Sequence, residues 1–186
     1  MSESVKSPWV LHYDASSCNG CDIEVLAALT PLYDVERFGI INTGNPKHAD
    51  LFLITGSVNE RQVPIIRQLY EQMLEPKIVI ACGICACTGG VFKECYNTLG
   101  GVDVAIPVDV YAPGCAIRPE TIIDAVVEGL GILEEKRRLL AAGSLEPAEL
   151  PKQPSAADKP VRGETVAAAW QKAIANALQT AGQEEQ

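Results

Sequence analysis

Positive charge is in short supply in this chain of 186 residues: 15 Lys+Arg stand against 24 Asp+Glu, a formal net charge of −9. Neutralising phosphates takes clustered cations, so a sequence-blind nucleic-acid binder is excluded and no nucleic-acid partner is expected. Long apolar runs are also missing. None approaches the ~20 residues that span a bilayer. The first ten residues carry one Lys and no apolar stretch, so neither a secretory nor a twin-Arg signal is expected. A soluble, cytoplasmic protein follows as the expectation, unless partners hold it at a membrane. No internal repeat is found. What is present is ordinary for a globular chain. Apolar residues make up 47% and charged residues 21%, which excludes disorder throughout. The length suits one domain, with an appendage and enough chain to bury a core.

Seven cysteines are an odd count in a chain with no expected export signal. A disulfide framework explains them poorly; metal binding or redox chemistry explains them better. They are Cys18, Cys21, Cys82, Cys85, Cys87, Cys95 and Cys115. A free Cys is also a small hydrophobe that is often buried, so position along the fold must separate ligands from packing.

The pattern predicts a strand over 9–13, broken by Asp14-Ala-Ser-Ser, then Cys18-Asn-Gly-Cys21 and a helix over 22–29 ended by Thr30-Pro31. A short strand follows over 35–38 and a loop over 42–46. Leu51 to Thr55 is a nearly continuous apolar run, as in a strand buried on both faces. A helix over 61–74 carries Ile65, Ile66, Leu69, Tyr70 and Met73 at helical spacing. The next buried strand is 77–81, followed by a glycine-rich loop over 82–90 and a short helix over 91–96. A strand over 108–111, a loop over 112–115 and a helix over 119–142 complete the domain. Pro119 suits the first turn of that helix, and Ile122, Ile123, Val126, Val127, Leu130 and Leu133 form its core stripe. This alternation implies an α/β fold, an open parallel sheet of broadly flavodoxin-like type, over residues 1–142. Pro147, Pro151, Pro154 and Pro160 mark a linker over 143–163. Residues 164–186 then form a C-terminal amphipathic helix with an apolar stripe of Val166, Trp170, Ile174 and Ala177, frayed at its end.

In a parallel sheet all strands point the same way. The loops bearing Cys18 and Cys21, Cys85, and Cys115 therefore emerge at one edge, where open α/β sheets bind ligands. Four thiolates suit zinc or an iron–sulfur cluster. One C-x-x-C and two distant single cysteines fit a zinc knuckle poorly, and a thioredoxin-type redox pair remains a further alternative. Gly20, Gly83, Gly89, Gly90 and Gly114 let backbone N–H groups approach sulfur closely. Cys82 and Cys95 fit packing roles. Cys87 rivals Cys85 as a ligand.

Five motifs follow in family order: Cys18-Asn-Gly-Cys-Asp-Ile-Glu24, Asn45-Pro-Lys-His-Ala-Asp50, Ile54-Thr-Gly-Ser-Val58, Gly83-Ile-Cys-Ala-Cys-Thr-Gly-Gly90 and Ala112-Pro-Gly-Cys-Ala-Ile-Arg-Pro-Glu120. From Trp9 to about Leu133 the chain resembles the small subunit of [NiFe] hydrogenases and its relative, the 20 kDa iron–sulfur subunit of respiratory complex I. In the complex I subunit the first two cysteines are adjacent; here Asn19 and Gly20 separate them. Large uptake hydrogenases carry an export signal and a further two-cluster domain, neither of which is seen here. The Ala-Ile-Arg after Cys115 departs from the Pro-Pro of many relatives. The motifs are most similar to membrane-bound, energy-converting hydrogenases of the Ech type.

The resemblance implies that Cys18, Cys21, Cys85 and Cys115 ligate one proximal [4Fe–4S] cluster at the C-terminal edge of the strands. Cys85 is preferred to Cys87 because the family's ligand precedes Ala86. Glu24 matches an acidic residue placed near the large-subunit interface, with a possible part in proton transfer; an ordinary helix-terminus carboxylate is the plain alternative. His48 and Asp50 fit turn and strand-entry roles, His12 a satisfied core residue, and Arg118 an offset to cluster charge, a partner contact or a plain helix-start surface role. The chain would relay electrons between a [NiFe]-bearing large subunit and a ferredoxin-like iron–sulfur subunit fed by soluble ferredoxin. Integral membrane subunits would couple this to ion movement and hold the chain at the cytoplasmic side of the membrane. No second set of four cysteines is present, so the chain by itself is not expected to be catalytic. A complex I-like subunit passing electrons to quinone and a zinc-stabilised scaffold are the alternatives.

Overall fold

The structure is a computed structural model that describes residues 7–146 and 148–152. Its centre is β3 (Leu51–Thr55) beside β5 (Ile78–Cys82), and every residue of both strands is buried. Alternation along them splits the core in two. Leu51, Leu53, Ile78 and Ile80 face one side, packed with Val25, Ile122, Val126 and Leu133. Phe52, Ile54, Val79 and Ala81 face the other, packed with Val63, Ile66, Ala86 and Ile106. The first side is covered by α1 (Gly20–Ala28) and α4 (Pro119–Ala141), the second by α2 (Gln62–Gln72) and the one-turn α3 (Ile84–Thr88).

Three further strands complete the parallel sheet: β1 (Trp9–Asp14), β2 (Ile41–Asn42) and the edge strand β7 (Val110–Ala112). The order is β2-β1-β3-β5-β7, all parallel. Counting only these strands, that is the 2-1-3-4-5 order of flavodoxin-like sheets. The register aligns Asp14 with Thr55, Thr55 with Cys82, and Cys82 with Ala112, so the strands end level at one edge. A small antiparallel pair, β4 (Val58–Asn59) with β6 (Thr98–Gly100), stands apart.

Several expected elements are displaced. Residues 35–38 form a 3-10 turn rather than a strand, because Asp34 and Gly39 on either side adopt left-handed backbone; the edge strand follows at Ile41. The loop expected over 82–90 contains α3, whose flanking residues Gly83 and Gly89 end it on both sides with φ of 88° and 87°. The short helix expected over 91–96 is only a 3-10 turn, Gly90–Phe92, and Val91 and Tyr96 are exposed. In α4 the buried stripe runs through Ile122, Val126, Gly129 and Leu133, while Val127 lies on the outer flank. In α2, Val63 is buried and Ile65 is exposed.

Opposite the cysteine edge, polar clamps hold the helices. Lys77 is buried, and its Nζ donates to the carbonyls of Tyr70 (2.8 Å) and Met73 (3.3 Å), satisfying the C-terminal end of α2. Lys136 of α4 donates to Asp109 Oδ1 (2.6 Å) and to the Lys77 carbonyl (3.0 Å). Arg137 meets Asp50 at 3.0 Å. Beyond α4, Leu150 packs on the second core and Arg67 donates to the Pro151 carbonyl. The rest of the expected linker and the C-terminal helix lie outside the described residues.

Candidate metal centre

The cysteines that the sequence placed beyond the strand ends are carried by three local devices. Cys18 lies in the turn between β1 and α1, and Cys21 in the first turn of α1. Asn19, at φ 64°, precedes the helix, and the Ile23 N–H donates to its carbonyl at 3.0 Å. Cys85 sits in the first turn of α3. Cys115 follows β7. Two backbone bonds tie the last two loops together: Gly83 N–H to the Ala112 carbonyl and Ile84 N–H to the Gly114 carbonyl, both 2.8 Å.

The three loops bring the four thiols within reach of one another's charge. Cys85 feels the charges of Cys115, Cys21 and Cys18, and Cys21 those of Cys18, Asp22 and Cys115. Burial first, then these like charges, push both thiols up; for Cys21 the Ile117 N–H, donating to its sulfur, acts the other way. Thiols pushed up in this way need a cationic group beside them to be deprotonated. Glycines make the room. A Cβ on Gly83, itself at φ 88°, would stand 2.5 Å from Cys21 Sγ, and one on Gly90 would stand 3.0 Å from Cys85 Sγ. This donor set and its close backbone fit an iron–sulfur group, which takes one thiolate at each of several irons. Among the described residues no group of three or more His, Cys, Asp or Glu is set to hold a single metal ion.

The other cysteines face elsewhere. Cys87 is buried in the second core and its Sγ donates to the Ala81 carbonyl at 3.4 Å. Burial, above all, pushes its thiol up to about 11. Cys82 is fully buried in the first core and its thiol is also pushed up by burial. Cys95 lies after the 3-10 turn, half-buried.

Behind the C-x-x-C turn stands a polar cluster that sequence reasoning missed. The Asp22 carboxylate accepts from Thr55 Oγ1 at 2.5 Å and from Ser17 Oγ, with His12 Nε2 at 3.0 Å. Burial works against its charge, but the hydrogen bonds from Ser17 and Thr55, with His12 beside them, outweigh that and hold the carboxyl below the usual range. Gly56, at φ 81°, lets the end of β3 pass against Ser16 and Ser17, where a Cβ would collide with their backbone. An Asp in a first helical turn was legible as a dipole partner only.

Glu24 is half-buried on α1 and makes no hydrogen bond or ion pair among the described residues. Its neighbours Ile23 and Leu26 are 63% and 54% exposed. His48 stacks on Trp9, Asp50 accepts from the Trp9 N–H and pairs with Arg137, and exposed Arg118 approaches Glu120 at 3.6 Å. Among the described residues no helix is long and apolar enough to cross a membrane.

Known proteins are similar to this chain over the domain that carries the four thiols. A probable membrane-bound hydrogenase subunit mbhJ of Pyrococcus furiosus is 49% identical over 144 residues, 77% of this chain and 84% of that protein. An NADH-quinone oxidoreductase subunit of Flavobacterium johnsoniae is 48% identical over 122 residues, 65% of each chain. Among solved structures, the membrane-bound sulfane sulfur reductase, an archaeal respiratory membrane complex, contains a chain that superposes with a TM-score of 0.61 at 40% identity, covering 70% of this chain and 72% of that one. The family model described as the 20 kDa subunit of NADH ubiquinone oxidoreductase matches residues 18–129, from the first cysteine into α4. The chain belongs to that family.

Proposed function

We propose that this chain is the electron-transfer subunit of a membrane-bound [NiFe] hydrogenase, with Cys18, Cys21, Cys85 and Cys115 holding one [4Fe–4S] cluster. The observation that carries the reading is the meeting of four thiols from three loops at one sheet edge, within reach of each other's charge. Such a cluster, when bound, takes up and releases single electrons. The residues around it supply the rest. Gly83 and Gly90 leave space against the sulfurs, and the Ile117 N–H donates to Cys21. An N–H···S bond favours the more negative, reduced state.

The hydrogenase branch is favoured by the two residues between Cys18 and Cys21 and by the 49% identity to a membrane-bound hydrogenase subunit. In this reading the chain works as one subunit of an oxidoreductase. It relays electrons between a ferredoxin-like subunit, supplied by reduced ferredoxin, and a [NiFe] large subunit where protons are reduced. Integral membrane subunits hold it at the cytoplasmic side and couple the flow to ions. Glu24, without a partner among the described residues and flanked by exposed Ile23 and Leu26, faces the large subunit and passes protons there.

Purification without oxygen tests the reading. About four irons and four sulfides per chain, with the EPR signal of a reduced [4Fe–4S] cluster, are expected. Stoichiometric zinc in folded, colourless protein would overturn it. A second reading, a subunit passing electrons to quinone, is favoured by the 48% identity to a quinone oxidoreductase subunit. Hydrogen uptake or evolution by the complex isolated with this chain separates the two; quinone reduction without it transfers the chain to the second.

A further inference from the structure

The two oxygens of Asp22 receive donors from three separate places. Oδ1 takes the Thr55 hydroxyl, from the last residue of β3, at 2.5 Å, with His12 Nε2 of β1 at 3.0 Å. Oδ2 takes the Ser17 hydroxyl from the turn before Cys18. Ser17 is itself fixed: its N–H donates to Asp14 Oδ1 at 2.5 Å, and its Oγ accepts from the Asn19 N–H at 2.9 Å. The chain of bonds thus runs from the strand ends through Asp22 into the segment between the two cysteines. Thr55 is fully buried, and the side chains of His12 and Asp22 are 16% and 13% exposed, so water competes little for these bonds.

Both oxygens accept; in an amide the group at the Oδ2 position donates instead, and the Ser17 hydroxyl can turn to accept it, so the amide keeps the shape and loses only the charge. A buried negative charge beside four thiols is electrostatically unfavourable. Its charge reaches Cys21, the next residue back. Ser17 and Thr55 are neutral donors, so they orient the carboxylate and offset its charge only in part, and His12 adds a positive charge there only when protonated.

We infer that Asp22 is a positioning residue: its carboxylate ties the C-x-x-C turn to the ends of β1 and β3 and, as a fixed negative charge beside Cys21, lowers the reduction potential of the cluster bound there. This rests on the cluster reading given above. Reduction adds an electron next to that charge, so a fixed anion makes the step harder, while a tethered turn keeps the anion at a constant distance.

EPR-monitored redox titration of the full chain carrying its cluster tests this. Asp22→Asn removes the charge and keeps the shape, so the midpoint rises, by about 59 mV for a tenfold change in a one-electron equilibrium. Thr55→Val keeps the charge and removes one neutral donor that offsets it, so the midpoint falls. Opposite signs at unchanged iron and sulfide content support the inference. A turn that is merely loosened would move both variants the same way; that result, or an Asp22→Asn midpoint equal to wild type, overturns it. Where Asp22→Asn fails to hold a cluster, Thr55→Val decides: a lower midpoint supports the inference and an unchanged one overturns it. A wild-type chain without an iron–sulfur signal overturns the cluster reading, and this inference with it. A wild-type signal with unshifted variants overturns the inference alone.

Discussion

Side chains two residues apart on one short helix have different fates here, and the difference is measurable. Cys85 joins the other three thiols, whereas Cys87 is buried with its sulfur on the Ala81 carbonyl. Cys85→Ser is expected to lose the cluster; Cys87→Ser and Cys95→Ser are expected to keep their full iron content. The reverse pattern for Cys85 and Cys87 would exchange their roles. Gly83→Ala places a methyl 2.5 Å from Cys21 Sγ at φ 88°. It should cost about 2 kcal/mol in urea unfolding and empty the cluster site as well. Tyr70 gives a pH signature away from the cysteines. Burial first, then the charges of Glu75 and Asp109, push its phenol up to about 12. A raised folded value means that this stability is complete below the unfolded value of about 10 and is lost as pH climbs through about 12. Tyr70→Phe should therefore flatten the alkaline fall in melting temperature between those limits, and an equal fall in both proteins would refute the assignment. At this scale the loops that carry the four candidate ligands were legible because they follow strands, whereas the choice of Cys85 over Cys87 came from the family resemblance. Asp22 was not, because its partners His12 and Thr55 are brought to it only by the β1–β3 register.

Among the elements, those that bury both faces announced themselves. The unbroken apolar runs of β3 and β5 and the long periodic stripe of α4 left little choice. The elements that escaped notice are short. β2 and β4 have two residues each and β6 has three, so pairing rather than propensity decides them. α3 hid behind its glycines, which read as loop but in fact bracket a helical turn. The helix α4 yields a paired prediction. Gly131 is exposed and a Cβ there meets nothing within 4 Å, so Gly131→Ala should stabilise by about 1 kcal/mol. A Cβ on Gly129 would stand 3.2–3.3 Å from Ile78, Ile80 and Leu51, so Gly129→Leu should destabilise by about 2 kcal/mol through overpacking. Asp109→Ala breaks the clamp at the far end: it leaves the Val79 N–H without its acceptor and Lys136 with only the Lys77 carbonyl, and should cost about 2–3 kcal/mol. Chemical denaturation of the three variants checks all of these, and a stable Asp109→Ala would show that the clamp contributes little.

For the whole molecule, the sheet has apolar packing on both faces, built almost entirely from residues other than the candidate ligands. Removing iron with a chelator is therefore expected to leave secondary structure in place by circular dichroism and to lower the melting temperature. Hydrogen exchange should rise at residues 15–21, 83–90 and 113–117, and little in β3 or at the Lys136–Asp109 end. Global unfolding of the iron-free chain would show instead that the cluster is part of the core. The fold class and the edge of the site could be read from strand–helix alternation, since a parallel sheet fixes direction once strands are found. How neighbouring loops are tied, through Gly83 to Ala112 and Ile84 to Gly114, could not, because those bonds join segments that only the folded sheet makes adjacent. That adjacency has a consequence for biosynthesis. A chain emerging from the ribosome offers Cys18 and Cys21 early, Cys85 later and Cys115 last, and the last thiol reaches the others only after β7 has paired with β5. Until then a metal-delivery system finds at most three of the four thiols. In the proposed cluster reading, maturation is thus timed by the closing of an edge strand of three residues.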